Sequence, residues 1–118
     1  MGKGSAFRYN LFQKRGSTLT KADSYTITSD NLLIDGYGAF TMSVASKVFT
    51  LPTVSTAFKG LSIYITAINT GSTTVYISGG FGGGGGGYDT ATLASYETGE
   101  FWCDGTYWYA LNDSVGAG

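Results

Sequence analysis

The chain has 118 residues, enough for one domain, and it contains no histidine and a single cysteine. It therefore lacks the usual general base near neutral pH and the commonest metal ligand, and one cysteine forms neither an internal disulfide nor a thiolate metal cluster. Charged residues make up only 13% of the chain, while its 18 aromatic residues argue against a disordered protein. We expect an ordered all-β domain with no catalytic residues, no metal site and no cofactor.

Charge is distributed unevenly along the chain, although the formal net charge is only −1. Residues 1–22 carry five basic side chains and no acidic one, whereas residues 23–118 carry two basic and eight acidic side chains. We interpret residues 1–22 as an extended basic arm that binds an acidic partner, and residues 23–118 as the folded domain. The basic residues are single and mixed with apolar ones, which favours a protein surface over nucleic acid as the partner. The residues assigned to this contact are Lys3, Phe7, Arg8, Tyr9, Leu11, Phe12, Lys14, Arg15 and Lys21.

The sequence shows no common targeting or membrane signal. No stretch approaches the ~18 consecutive apolar residues of a membrane helix, and the N-terminus lacks the apolar core of a signal peptide. We therefore expect a soluble protein made in a cytoplasm, with no membrane partner. Cys103 is expected to be a small buried hydrophobe rather than a nucleophile.

Short runs of β-branched and aromatic residues, separated by Gly, Ser, Asn and Asp, predict a succession of short strands. In chain order the predicted strands cover residues 24–28, 39–44, 47–51, 61–69, 74–78, 91–93, 100–103 and 107–112. Residues 29–31 and 35–36 are predicted turns, on either side of a short segment at residues 32–34. Thr70-Gly71-Ser72 predicts a hairpin that pairs the strand after it with the strand before it, and Asp104-Gly105-Thr106 predicts a second hairpin. This spacing of strands and turns favours an antiparallel β-sandwich or jelly-roll-like domain.

Residues 79–87 read GGFGGGGGG and are followed by Tyr88. Bare backbone N–H groups can hold a phosphate, but neither a Lys-Ser/Thr ending nor a following helix completes a phosphate loop here. We interpret the tract as a Gly-rich loop, either mobile at the surface or ordered against a neighbouring protein. Phe81 and Tyr88 are predicted to anchor its two ends.

Six short motifs follow one another between residues 49 and 109: Phe49-Thr50-Leu51-Pro52, Ile63-Tyr64-Ile65, Asn69-Thr70-Gly71-Ser72, Val75-Tyr76-Ile77, Gly99-Glu100-Phe101-Trp102 and Asp104-Gly105-Thr106-Tyr107-Trp108-Tyr109. In this order they resemble a small β-rich module of tailed-phage virion proteins, which recurs in tail-fibre, tail-spike, head-fibre and head decoration proteins. The resemblance covers residues 49–109 and implies a homotrimer packed around a threefold axis. Residues 1–45 match none of the family's patterns, and the loop at 79–87 is longer than the family's turn.

The resemblance implies a structural function. Because a tail fibre has a long shaft before such a module, and this sequence has no room for one, we expect a small stand-alone decoration or cement protein. It would lie on the capsid exterior, bind the major capsid protein and stabilise the head shell. The alternative is a receptor- or glycan-binding module of a tail fibre or head fibre, with a host surface glycan as ligand. Glu97 and Glu100 are the only near pair of carboxylates, too little for a glycosidase, so we expect no enzymatic activity.

Three aromatic residues are candidates for a glycan-binding or subunit-interface surface: Tyr88, Trp102 and Trp108. Strict alternation would place Trp102 and Trp108 on the face opposite to Phe101 and Tyr109. One of these two sets then faces outward or into a subunit interface, and the sequence leaves open which one. The structural alternative is that the DGTYW segment locks a terminal strand through buried aromatic area.

Overall fold

The computed structural model describes residues 17–82 and 88–111, which contain nine strands in two sheets and very little helix. The strands are Ser17–Lys21 (β1), Tyr25–Thr26 (β2), Tyr37–Met42 (β3), Lys47–Thr50 (β4), Ser62–Ala67 (β5), Thr73–Tyr76 (β6), Thr90–Leu93 (β7), Thr98–Cys103 (β8) and Trp108–Ala110 (β9). The helical segments are Ser29–Leu33 (α1) and the 3₁₀ turn Thr56–Phe58. The predicted all-β architecture of two sheets is confirmed.

Up to β6, the chain alternates between the two sheets. Strands β1, β3 and β5 lie side by side in the large sheet, and β2, β4 and β6 lie side by side in the small sheet. All of these neighbours are parallel. We call the resulting unit a coil of three rungs, where each rung gives one strand to each sheet: β1 with β2, β3 with β4, and β5 with β6. Three antiparallel strands complete the two sheets: β7 lies beside β6, β8 lies beside β5, and β9 lies beside β8.

The prediction of an antiparallel sandwich is therefore wrong for the three rungs, and the predicted hairpin at residues 70–72 is wrong as well, because β5 and β6 lie in different sheets. The buried Asn69 forms a corner between the sheets. Its Nδ2 donates to the Met42 carbonyl (3.0 Å) and to Thr73 Oγ1 (3.2 Å), while its Oδ1 accepts from the Gly71 N–H (3.0 Å). A hairpin and a corner both need a turn, so turn residues alone do not distinguish them.

Inward side chains of successive rungs stack in rows and form the core. Leu19, Phe40 and Ile65 occupy one row of the large sheet, and Phe49 and Val75 occupy a row of the small sheet. Phe40 and Phe49 meet across the two sheets, edge to face, with ring centroids 6.0 Å apart. Full burial of such side chains contributes about 1.5–3 kcal/mol each to stability. The alternating pattern of the sequence thus determines which side chains fill the space between the sheets.

Threonine rows cover the outward faces. Thr20, Thr41, Thr66 and Thr98 lie side by side across four strands of the large sheet. The Thr20 and Thr41 hydroxyl oxygens are 2.7 Å apart, and so are those of Thr66 and Thr98. A β-branched side chain with a hydroxyl suits a strand position that faces water. This role accounts for much of the threonine content of the chain.

The sequence analysis missed the helix α1, where it predicted a turn. Thr28 caps this one-turn helix: its Oγ1 accepts from the Asn31 N–H (3.1 Å), and Asn31 Oδ1 accepts from the Thr28 N–H (2.9 Å). The Tyr25 hydroxyl donates to the same Asn31 oxygen (2.9 Å) and joins the helix to β2. The Thr-x-x-Asn spacing is a capping-box signal, but a helix this short has no periodic apolar pattern to support it.

The predicted arm is described only in its last part. Ser17–Lys21 is strand β1 of the large sheet, and the Lys21 ammonium lies 4.1 Å from the centre of the Tyr25 ring. A cation over an aromatic face is an attractive contact within the domain. The other arm residues assigned to a partner lie outside the described residues: Lys3, Phe7, Arg8, Tyr9, Leu11, Phe12, Lys14 and Arg15. Over the part of the chain that the structure describes, no helix is long and apolar enough to cross a membrane.

Candidate binding surface

The hairpin between β8 and β9 positions most of the aromatic residues that the sequence singled out. Asp104 Oδ1 accepts from the backbone N–H groups of Thr106 and Tyr107, at 2.7 Å each. Gly105 has a φ of 94°, in the left-handed region that favours glycine. Strands β8 and β9 pair directly across this turn, so the predicted Asp-Gly hairpin is confirmed.

Trp108 belongs to the core. Its side chain has no exposed surface, its indole Nε1 donates to the Pro52 carbonyl at 2.9 Å, and its ring stacks on Phe58 with centroids 5.7 Å apart. A fully buried indole does not bind a glycan. The sequence left two interpretations of the DGTYW segment, an exposed binding surface or buried aromatic area that holds the terminal strand in place. For Trp108, the structure shows the second.

Trp102 lies on the opposite, outward face of the large sheet. It pairs with Tyr109 of β9, and the two rings are 5.4 Å apart at an angle of 36°. The prediction that Trp102 and Trp108 share a face is wrong, because the turn pairs Cys103 with Trp108. In that register an even-numbered residue of one strand shares its face with an odd-numbered residue of the other. A turn longer or shorter by one residue would shift this register and place Trp102 and Trp108 on the same face.

We call the outward group Tyr64, Trp102, Tyr107 and Tyr109 the aromatic face. Trp102 lies opposite Ser62 of β5, which makes Tyr64, two residues further along that strand, its diagonal neighbour. Tyr64 is 47% exposed and Tyr107 is 46% exposed, while Trp102 and Tyr109 are half-buried. Tyr107 meets Tyr109 edge to face, with ring centroids 6.4 Å apart. Trp102, Tyr109 and Tyr107 are in ring contact with one another in sequence across the hairpin, and Tyr64 lies on the same face of the neighbouring strand.

The Gly-rich loop borders this aromatic face. A Cβ on Gly82 would lie 2.7 Å from the Tyr109 ring, so the loop backbone approaches Tyr109 more closely than any other residue type would allow. Phe81 is 4% exposed and anchors the loop in the core, as predicted, and its N–H donates to the Tyr88 carbonyl at 2.8 Å. Tyr88 joins the loop ends through its backbone, while its side chain is 52% exposed. Residues 83–87 lie outside the described residues.

Asp104 and Tyr109 are electrostatically coupled. The Tyr109 hydroxyl donates to Asp104 Oδ2 at 2.8 Å. The backbone N–H groups of Tyr107 and Thr106, followed by this hydroxyl, hold the pKa of the Asp104 carboxyl below its usual range. The same bond raises the pKa of the Tyr109 phenol. Because the causes are the hydrogen bonds of the hairpin itself, the shifts indicate a structural role for the pair.

Few groups suited to metal binding lie near one another. Within residues 17–82 and 88–111, no three side chains among Cys, Asp and Glu come together in a way that could hold a metal ion. The prediction that the protein is not an enzyme stays a prediction. The arrangement that the described residues do present is a partly exposed aromatic surface, a type of surface that is common in contacts with other molecules.

Similarity to known proteins is slight. No family model matches the sequence, and no curated protein matches it. Among solved structures, the crystal structure of enterohemorrhagic E. coli StcE(132-251) is similar to this chain with a TM-score of 0.49 and 14% sequence identity. The match covers 79% of this chain and 93% of that chain. A likeness at this level carries no argument about function.

The depressed pKa of Asp104 predicts a pH dependence of stability. The ionised carboxylate stabilises the folded hairpin above its unfolded-state pKa of about 3.9, and this contribution is lost as the pH falls through the lower folded-state value. Asp104→Asn retains an acceptor oxygen for the turn but does not titrate. We predict that the free energy of unfolding, measured by urea denaturation, declines less steeply below about pH 4 in Asp104→Asn than in the wild type.

A matched variant, Asp89→Asn, removes one carboxylate from another exposed position and serves as the control. Its stability should follow the wild-type pH profile. Identical profiles for Asp104→Asn and the wild type would contradict the assigned role of Asp104.

Proposed function

We propose that this domain is a structural, non-enzymatic virion protein of a tailed bacteriophage, a decoration protein that binds the outer shell of the head. The proposal rests on the phage-like motifs, and one observation carries it: motifs far apart in sequence contact each other. Trp108 of the last motif donates its indole hydrogen to the carbonyl of Pro52 in the first motif. When residues of separate motifs contact each other, the motifs form one structural unit. This supports the resemblance to a single module better than several short, unconnected sequence matches would.

Other motif residues also occupy positions that the fold requires. Asn69 forms the corner between the sheets, and Asp104 closes the terminal hairpin. Gly99 leaves room for the core, since a Cβ there would lie 2.8 Å from Leu93 Cδ2 and 3.0 Å from the Phe101 ring. The motifs thus describe the fold of residues 49–109, which supports the resemblance as a structural one.

The surface chemistry fits a protein that binds other macromolecules. Tyr64 projects from the outward face of the large sheet, and Tyr107, which packs against Tyr109, is exposed as well. Exposed aromatic residues that lie close together are typical of interaction surfaces. The contact with the major capsid protein, the homotrimer and the location on the capsid exterior are parts of the same proposal and follow from the resemblance.

Charge reversal in the arm tests the attachment to the head. We predict that Lys3→Glu/Lys14→Glu/Arg15→Glu lowers occupancy on empty heads of the parental phage by more than about tenfold, because it replaces attraction to an acidic shell with repulsion. Occupancy is measured by co-sedimentation and quantitative mass spectrometry. Lys59→Glu, at an exposed position of the domain, should bind as the wild type does.

Wild-type occupancy of the triple variant would contradict an electrostatic arm. The copy number in purified virions tests the location independently. A number comparable to that of the capsid subunit supports the head shell, and a number comparable to that of tail proteins contradicts it.

A second candidate function, glycan binding, is favoured by one observation: Trp102 and Tyr109 form a half-buried ring pair on an outward face. The apolar faces of sugar rings pack on such side chains. This candidate places the receptor contact on the aromatic face.

We predict that, if this face binds a host saccharide, Trp102→Ala weakens binding on a glycan array by at least about tenfold through loss of the stacking surface. Tyr76→Ala, which removes a half-buried ring from strand β6 of the small sheet, is the matched control and should bind as the wild type does. Failure of the wild-type protein to bind any saccharide of the host surface would eliminate this candidate.

A further inference from the structure

The segment of the chain that carries the aromatic face is purely acidic. Residues 61–111, which include strands β5 to β9, contain four acidic side chains and no lysine or arginine. Two of the four belong to the terminal hairpin: Glu100 lies in β8, and Asp104 follows it in the turn. Since opposite charges attract, a molecule that binds this side of the domain should carry positive charge.

Glu100 lies among the outward side chains of the large sheet. Its register partner on β5 is Tyr64, and its carbonyl accepts from the Leu111 N–H on the other side at 2.9 Å. Trp102 follows two residues later on the same strand and therefore shares the face. Residues directly opposite on antiparallel strands have Cβ atoms about 4.5–5.5 Å apart. The side chain of Glu100 thus leaves the sheet between those of Tyr64 and Leu111 and next to that of Trp102.

A second carboxylate acts on the aromatic rings through a hydrogen bond. The Tyr109 hydroxyl donates to Asp104 Oδ2 at 2.8 Å. The N–H groups of Tyr107 and Thr106 are the main causes that lower the pKa of Asp104, so this carboxyl is negatively charged at neutral pH. A phenol that donates to a carboxylate becomes polarised, and its ring face attracts a cation more strongly. Because Tyr109 contacts the rings of Trp102 and Tyr107, the negative potential lies within the aromatic face.

We propose that the aromatic face binds an arginine side chain of a partner protein, with the guanidinium paired to the Glu100 carboxylate and lying over the rings of Tyr64 and Trp102. A guanidinium is both charged and planar, so one group can pair with a carboxylate and stack on an aromatic ring. The ammonium group of lysine is compact and strongly hydrated, and it gains less from stacking. A neutral saccharide would stack on the same rings, but it has no charge that complements this face.

The approach of the partner is restricted at the turn. Lys59 lies there: three of its side-chain carbons are 3.4 Å from the position that a Cβ on Gly105 would occupy. A cationic partner should therefore approach over Tyr64 and Glu100, away from the turn. Arginine binding at this face differs from the saccharide binding of the second candidate function, and it does not depend on a location in a virion.

An NMR titration of the full chain with small peptides tests the site. The probes are acetyl-Gly-Ser-Arg-Ser-Gly-amide and the same peptide with citrulline, a neutral analogue, in place of arginine. We expect the arginine peptide to bind with a dissociation constant of about 1–10 mM, and the citrulline peptide at least about threefold more weakly. The Trp102 indole resonance should shift on binding, while the resonance of the buried Trp108 indole reports that the domain stays folded.

Two variants separate the local carboxylate from the overall charge. Glu100→Gln removes the charge at almost unchanged size, and we expect it to weaken binding of the arginine peptide at least about threefold through loss of the ion pair. Asp89→Asn is the matched control, since it removes one carboxylate from an exposed position just before β7 of the small sheet. It should bind the arginine peptide within about 1.5-fold of the wild type, because a distant exposed charge is screened.

Equal affinity for the arginine and citrulline peptides, or wild-type affinity in Glu100→Gln, would overturn the proposal. So would the absence of a Trp102 shift up to about 20 mM arginine peptide. A Trp102 shift with a neutral saccharide but with neither peptide would assign the face to glycan binding instead. Should Glu100→Gln fail to fold, Tyr64→Leu is measured in its place; weaker binding of the arginine peptide supports the site, and unchanged binding overturns it.

Discussion

The indole of Trp108 and the carbonyl of Pro52 form the contact on which the arrangement of the two sheets depends. A buried indole N–H without a partner costs about 1–3 kcal/mol, so the ring can occupy the core only where an acceptor is available. Pro52 lies in the connection between β4 and β5, and Trp108 is the first residue of β9. Their hydrogen bond, together with the stack of Trp108 on Phe58, fixes the terminal hairpin to the connection between the second and third rungs. The antiparallel end of the domain is thereby held against the parallel coil.

The inward position of Trp108 determines which residues face outward. Because the turn at Asp104 pairs Cys103 with Trp108, Trp102 and Tyr109 are placed together on the other side of the sheet. The aromatic face is therefore a consequence of the same register that buries Trp108. At the other end of the coil, no hairpin among residues 17–82 and 88–111 lies beside the first rung, and its Leu19 and Tyr25 are half-buried. The two ends of the described coil thus differ: one carries exposed aromatic side chains near β9, and the other carries half-buried apolar side chains in β1 and β2.

The sequence predicted strand positions well, and strand partners poorly. Short runs of β-branched and aromatic residues located β3, β5 and β8, because the preference of these residue types for strands is a local property. Asp104 and Gly105 predicted their hairpin because the turn needs those two residue types. Thr70-Gly71-Ser72 looked equally like a hairpin turn, yet the side chain of the preceding Asn69 bonds to Met42 and Thr73, which belong to chain segments that only the fold brings together. The partner of a parallel strand lies a full rung away, and no local pattern identifies it.

Stability measurements on the two tryptophans test the central claim most directly, because Trp108 and Trp102 lie on opposite faces of the same pair of strands, β8 and β9. Urea denaturation should show that Trp108→Phe lowers the free energy of unfolding by about 2–4 kcal/mol, because the substitution removes buried ring area and leaves the Pro52 carbonyl without its donor. Trp102→Phe, at a half-exposed position, should lose less than about 1 kcal/mol. Equal losses, or a larger loss for Trp102→Phe, would contradict the claim that the Trp108–Pro52 contact holds the two parts of the fold together.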